Sequence, residues 1–391
     1  MKHFWRPAWV EIDIDAIAHN IGEVRRQIGK KVTMIAVVKG DGYGHGAVEV
    51  ARQCIISGAD QLAVATVDEG IELRQNGITV PILVLGNMYT GQLEDMLRYD
   101  LIVPLYSLKT AEYLSSMALR AGKKAIAHIK VNTGMNRLGV DIQDMVDFVQ
   151  KVRGLQGIVI EGIYTHFASS AQADKSDANR QLEKFNSIIE ILNNMNFKVP
   201  YYHAANSGAI MDMPYSYLTA VRPGRLVYGL YPYPEVNKTL KLKPALQLKC
   251  YISAVRKVSV GDGVGYNAQF CPSKPTTVLT LPLGSTDGIS KRLSGKCPVL
   301  VRGSKKRIVA ICADMCMVDL EMAESDIESG EEVTIIGNQG QESVAVDEIA
   351  EILGVTLGEV FCCINKRLPR VYIKEGKPYL LRVQSGELIN L

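Results

Sequence analysis

From residue 12 to residue 235, short β-branched runs alternate with stretches of helical period, and no other feature of the chain restricts its fold as strongly. Strand-like runs occupy 34–39, 61–66, 80–85, 125–132, 158–165, 199–204 and 218–222. Between them lie amphipathic stretches at 47–57, 67–76, 108–121, 145–153 and 177–194, several closed by a glycine of the kind that ends helices. Parallel strands covered by helices are buried on both sides, so they read as continuous apolar runs rather than as alternation. A near-full set of eight such βα units predicts a closed (β/α)8 barrel over 12–235 rather than an open sheet.

Past Tyr231-Pro232-Tyr233-Pro234 the texture changes to strand-like runs at 246–258, 276–283, 298–301, 307–320 and 332–336, joined by glycine turns, with one helical stretch near 346–353. A mainly β second domain over 236–391 is expected, joined by an N-terminal strand from 1–11, with the proline-rich segment as boundary. A chain of 391 residues, 47% hydrophobic, can bury cores of that size. A net charge of only +3 argues against a nucleic-acid footprint or a polybasic membrane patch. The densest basic cluster, Ser304-Lys305-Lys306-Arg307, reads as a solvated turn between strands. Acidic residues interrupt the amino terminus before an apolar core of a signal peptide forms, and no apolar span of about 18 residues occurs, so a cytoplasmic protein without a membrane partner is expected.

The eight cysteines do not form a disulfide scaffold: none has C-x-x-C spacing, Cys312 and Cys316 fall in one strand-like run, and Cys362 and Cys363 are adjacent. The histidines His3, His19, His45, His128, His166 and His203 are scattered singly, and no metal site is expected.

The run from Val32 to Val38 delivers Lys39 at its carboxyl end, where barrels keep their chemistry, and Tyr43 follows four residues later. A desolvated lysine there can condense with an aldehyde, which a solvated amine with a pKa near 10.4 does poorly. Glycines at 40, 42, 44 and 46 would let backbone approach a bound cofactor. Their alternation is neither a dinucleotide fingerprint nor a triphosphate loop. Taken alone, Lys39 reads more readily as a solvated lysine ending a core strand. Other polar residues cap other strands: Lys130 and Arg137 in HIKVNTGMNRLG, His166 in IYTHFAS, Asn206 and Ser207 in YYHAANSG, and Arg222 in LTAVRPGRLVYG. Individually His166 reads as a core histidine and Asn206-Ser207 as a helix cap. Together they would converge on one face of a barrel.

These motifs, with the Gly265-Tyr266 turn and CADMCMVDL followed by INKRLPRVYI, resemble in order and spacing those of the bacterial alanine racemases, pyridoxal-phosphate enzymes with a barrel and a β domain. The resemblance spans nearly the whole chain. It implies a homodimer with shared active sites and a small amino acid as substrate. Lys39 would hold pyridoxal 5'-phosphate and act as one of two acid–base groups, with Tyr266 of the partner subunit as the other, one on each face of the substrate carbon. His166 would hydrogen-bond Tyr266, and Arg222 would face the cofactor's ring nitrogen, where a guanidinium stays protonated. Arg137 would bind the substrate carboxylate. Lys130 matches the family's carbamylated lysine. Ser207, Tyr43 and the backbone of Gly224 and Arg225 match phosphate-binding positions, Lys366 takes a position that is tyrosine in some members, and Ala313 and Asp314 match positions near the substrate.

The chain departs from the family at Gly284-Ser285-Thr286-Asp287-Gly288, where Gly-Tyr-Ala-Asp-Gly is usual, and at Val309-Ala310-Ile311-Cys312-Ala313, where Gly-Arg-x-Cys-Met is usual. Ala171 stands where an acidic residue is frequent. A wider entrance is expected, leaving open a racemase for serine or a larger amino acid, or an aldol-cleaving enzyme. Arg222 and the modest turn after it argue against a decarboxylase, and the second domain argues against a non-catalytic cofactor carrier.

Overall fold

Eight short parallel strands form the core of the first unit: β1 (Thr33–Val37), β2 (Gln61–Val64), β3 (Ile82–Val84), β4 (Val103–Leu105), β5 (Ala125–Asn132), β6 (Ile158–Tyr164), β7 (Tyr201–His203) and β8 (Ala220–Val221). Their hydrogen-bonded order is β3-β2-β1-β8-β7-β6-β5-β4, and a parallel bridge between Leu83 and Ile102 joins the two ends into a barrel. The computed structural model describes residues 6–87, 89–233, 236, 238–323 and 325–391. Residues 1–5 of the expected N-terminal strand, and Pro234 and Glu235 at the expected boundary, lie outside that range. The barrel unit comprises Ala16–Gly42 and Ala47–Pro244; the second unit comprises the segment up to Asp15, the short insertion Tyr43–Gly46, and Ala245–Leu391.

Seven of the eight barrel strands fall within runs read from the sequence. The exception, β4, has only three residues, one of them Pro104, and a proline cannot donate to a ladder, so no run marks it. The helix Ile14–Ile28 was likewise not anticipated. Among the described residues no helix is long and apolar enough to cross a membrane.

In the second unit the strand Ala8–Asp13 pairs antiparallel with Leu246–Tyr251 and parallel with Arg370–Lys374, at the heart of a twelve-stranded sheet. Two expected strands prove to be pairs. The run at 246–258 divides into Leu246–Tyr251 and Ala254–Val258, and the run at 307–320 divides into Ser304–Ile311 and Cys316–Asp319, an antiparallel hairpin with 312–315 at its tip. Lys305, Lys306 and Arg307 therefore lie in a strand, not in the solvated turn expected for them, and the turn is Arg302-Gly303. The helix Leu357–Cys363 and the strands Lys377–Arg382 and Leu388–Asn390 complete the unit. Buried Arg370 binds that helix's far end, donating to the carbonyls of Ile364, Asn365 and Leu368. A guanidinium can be buried there because each carbonyl replaces a water it loses.

Candidate active site

Lys39 opens a turn of the rarer hand. Gly40, Asp41 and Gly42 have φ of 63°, 54° and 61°, Tyr43 follows at 50°, and Gly42 N–H closes the turn on the Val38 carbonyl at 2.9 Å. Left-handed backbone costs an L-residue about 1–2 kcal/mol, so glycine at every second position makes the turn possible. The glycines thus serve backbone handedness, a role different from the cofactor approach expected of them. Farther along, a Cβ on Gly46 would lie 2.0 Å from the Tyr372 hydroxyl.

Around the carboxyl ends of the barrel strands lies a cluster of cations. Lys130, on β5, is buried, and burial first, then the positive charges of Arg137, Arg222 and Lys39, lower its amine to about 8. Arg222, immediately after β8, is also buried. Its Nη1 donates to His203 Nδ1 at 2.6 Å and to the His203 carbonyl at 2.9 Å; its Nη2 donates to the Thr165 carbonyl at 2.6 Å, the Ala204 carbonyl at 3.0 Å and His166 Nδ1 at 3.5 Å. Burial pulls its pKa down to about 10, so it remains a cation at neutral pH. Arg137 is exposed on a loop organised by Asn132, whose Oδ1 accepts the amides of Gly134 and Asn136. Among the described residues, none of Lys130, Arg137 and Arg222 has a carboxylate within ion-pair range. Such a cluster is built to receive anions.

Ser207 is buried at the start of the helix Ser207–Asp212. The cap of that helix is Asn206, which accepts the amides of Gly208 and Ala209. Ser207 Oγ instead accepts the Gly224 amide at 3.0 Å, leaving its hydroxyl proton to donate. Gly224 N–H is thereby committed to Ser207. Arg225 donates through Nη1 to the Pro232 carbonyl.

Three residues of this cluster went unassigned in the sequence. His203 and His128, which seemed isolated, bond to each other at 3.0 Å, and Tyr164 stacks on His203 with ring centroids 4.9 Å apart. The Tyr164 hydroxyl is buried without a protein partner, and Lys130 and Arg222 lie over its ring. The spacing of Tyr164 two residues before His166 was the available signal. Burial and then Arg222 lower His128 to about 3, and the same causes, in the same order, hold His203 and half-buried His166 well below the usual value. All three are neutral in the folded protein. Because their folded pKa values lie below the unfolded one, their stability contribution is complete above about pH 6.5 and is lost as the pH falls. Urea midpoints should therefore decline from pH 7 to pH 5, with a shallower slope in His128→Gln; a flat profile would count against neutral histidines.

The remaining candidates, Tyr43, Tyr266, Ala313, Asp314 and Lys366, belong to the second unit. Tyr266 is 72% exposed on a short turn whose next two residues, Asn267 and Ala268, have φ of 55° and 49°. A strained turn bearing an exposed aromatic side chain is a candidate functional position. Beneath it Ala310 is fully buried with Val264, Val278, Val309 and Met317. Ala310 therefore supports the Tyr266 turn and does not widen an entrance, contrary to expectation; a Cβ on Gly265 would lie 2.9 Å from its methyl.

Asp314 sits at the exposed hairpin tip, where its carboxylate accepts from Thr286 Oγ1 at 2.9 Å and pairs with Arg367 at 3.0 Å. Those two bonds hold its pKa below the usual carboxylate range. Arg367 also meets fully buried Asp287 at 3.1 Å, and Asp287 takes both terminal nitrogens of Arg6. The turn bearing Ser285 is thus clamped from three sides. Lys366 and Ala313 are exposed. Among the described residues no group of three or more His, Cys, Asp or Glu side chains could hold a metal ion.

Residues 12–232 match the family model for the alanine racemase N-terminal domain, and residues 245–372 match that for the alanine racemase C-terminal domain. The chain is 40% identical to alanine racemase 2 of Caldanaerobacter subterraneus subsp. tengcongensis, over 96% of this chain and 97% of that protein. It is 40% identical to the alanine racemase of Methanococcus maripaludis, over 94% and 99%. The solved alanine racemase of Clostridium difficile 630 superimposes with a TM-score of 0.94 at 34% identity, covering 98% of this chain and all of that one.

Proposed function

This chain belongs to the alanine racemase family, and from that premise we propose that it interconverts L- and D-alanine with pyridoxal 5'-phosphate, as a cytoplasmic homodimer with shared active sites. The observation that carries this reading is the strand-end Lys39 set near Lys130, Arg137 and Arg222, three cations with no carboxylate in ion-pair range among the described residues. A phosphate and a carboxylate would neutralise them. The residues present fit the cofactor: Ser207 has a hydroxyl proton to donate to its phosphate, with Tyr43, Arg225 and Lys366 as further holders, and Arg222 is a guanidinium without an acidic partner for its ring nitrogen. Gly224 contributes indirectly, through Ser207. When bound, pyridoxal phosphate supplies an electron sink that acidifies the substrate's Cα–H.

The chain's own residues do the rest. Lys39 moves a proton on one face of the substrate carbon and Tyr266 of the partner subunit moves one on the other, since inversion requires delivery opposite to removal. A phenol with a reference pKa near 10 needs cationic surroundings to act as a base at neutral pH, which Arg222 would supply, with neutral His166, whose Nδ1 accepts from Arg222, as the hydrogen-bond donor to the phenolate. Arg137 grips the substrate carboxylate with its planar fork. Lys130 is the carbamylation candidate: with its amine lowered to about 8, the neutral fraction near neutral pH would add to dissolved carbon dioxide with loss of a proton, and the carbamate would replace a repelled cation by an anion beside Arg137. Ala313 and Asp314 would line the approach of the substrate.

Specificity would rest on half-buried Ser285 and Ala171 and on exposed Ala313. Side chains this small leave room, and an apolar pocket discriminates by only about 1–3 kcal/mol per methylene. Alanine should be the best substrate, with measurable racemisation of serine, and Ser285→Tyr should shift the ratio back towards alanine by about tenfold. Chiral separation of products from a panel of L-amino acids, run on both proteins, tests the reading; cleavage products instead of the D-enantiomer would replace it with the aldol reaction.

A further inference from the structure

We infer that Glu69 is a positioning residue for Lys39, an inference that rests on the assignment of Lys39 as the reacting amine. Glu69 stands at the third position of the helix Val67–Gln75, where it completes a capping box with Thr66. In such a box the glutamate ordinarily serves its own helix start. Here one carboxylate oxygen does so, with Oε2 accepting from Ala65 N at 2.7 Å and Thr66 N at 3.2 Å. The other oxygen reaches a different segment: Oε1 accepts from Gly40 N at 2.6 Å. That amide belongs to the peptide group joining Lys39 to the left-handed turn.

The need for an outside acceptor follows from the sheet. Val38 N–H still donates to the Ala63 carbonyl of β2 at 2.9 Å, so the next ladder bond would run from Gly40 to the Ala65 carbonyl. The Ala65 carbonyl is instead taken by Gly86 N–H at 3.1 Å, and the left-handed conformation turns Gly40 off the ladder. Gly40 is exposed, and without Glu69 its amide would bond only water. The orientation of the Lys39–Gly40 peptide plane sets the direction in which the Lys39 side chain leaves the backbone. A charge-assisted bond at that plane holds it, and a small misplacement of a reacting group is expensive in rate.

Three variants separate positioning from simple helix capping. Glu69→Gln can satisfy either Gly40 or the box with its single oxygen, but not both. Glu69→Asp keeps the charge and is one methylene short. Thr66→Ala removes the other half of the box, the Thr66 Oγ1 to Glu69 N bond at 3.3 Å, without touching Gly40. In the cofactor-loaded enzyme, both Glu69 variants should lower kcat about tenfold, speed amide hydrogen exchange in the peptide covering 38–46, and slow borohydride trapping of the cofactor on Lys39. Thr66→Ala should lower the melting temperature comparably and leave all three readouts at wild-type values. If the Glu69 variants match Thr66→Ala in exchange and trapping, Glu69 is only a helix cap and the inference falls. Should Glu69→Gln not fold, Glu69→Asp decides alone. Trapping on a lysine other than Lys39 in the wild type would remove the assignment of Lys39 instead, an outcome readable independently of Glu69.

Discussion

Lys39→Ala should abolish racemisation in both directions, lowering turnover by about 10⁴-fold or more, because one substitution removes both the attachment point and one of two proton-transfer groups. No neighbouring amine can take over cheaply. Lys130 is buried on β5, which does not adjoin β1, and its amine meets the positive charges of Arg137 and Arg222. Borohydride treatment of the wild type followed by peptide mapping should place the reduced cofactor on the peptide containing Lys39, and the same treatment of the variant should leave that peptide unlabelled. The fold should survive: Lys39 is half-buried, and the turn it opens is closed by backbone, from Gly42 to Val38. A labelled lysine elsewhere, or turnover in Lys39→Ala within tenfold of the wild type, would end the assignment.

Tyr266→Phe should reduce turnover by about 10²–10⁴-fold, the range expected when one general acid–base group is lost. The variant should be as stable as the wild type, since Tyr266 is 72% exposed. Enantiomers are equally stable, so kcat/KM must fall by the same factor in both directions whatever the mutation. The informative readout is proton exchange. In deuterium oxide the variant should still exchange the Cα proton of one enantiomer, through Lys39, while no longer inverting it. Exchange lost equally from both enantiomers would mean that Tyr266 does something other than serve one face. The same variant tests the dimer. Mixing Tyr266→Phe with Lys39→Ala chains creates hybrids with one intact and one doubly defective site if sites are shared, so about a quarter of wild-type activity should return after statistical exchange. If both groups come from one chain, mixing should restore nothing, given verified subunit exchange.

Much of the candidate site was legible because strand ends are local events. A buried apolar run ending in Lys39, and motifs ending in His166 or Arg222, place those residues at the rim of a barrel without knowledge of contacts. Legibility failed where one segment's role depends on another. Glu69 drew no reading from the sequence, because its second oxygen serves an amide 29 residues earlier. Ala310 looked like an entrance residue because a small side chain has the same letter whether it faces solvent or a packed cluster. Asp287 gave no sign that it would be held by Arg6, 281 positions away.

By itself, then, the order of residues determined the βα repeat, the mainly β second unit, and the set of polar groups at strand ends, since periodicity and burial act over a few neighbouring residues. Tertiary structure decided how those groups behave. Parallel pairing sets β6, β7 and β8 side by side, so that Arg222 is buried against carbonyls and the neutral His203 and His166, and stays positive with a lowered pKa. Burial, and then the charges of Arg137, Arg222 and Lys39, likewise lower the Lys130 amine to about 8. Desolvation and charge proximity are properties of the assembled interior, and no local pattern in the chain encodes them.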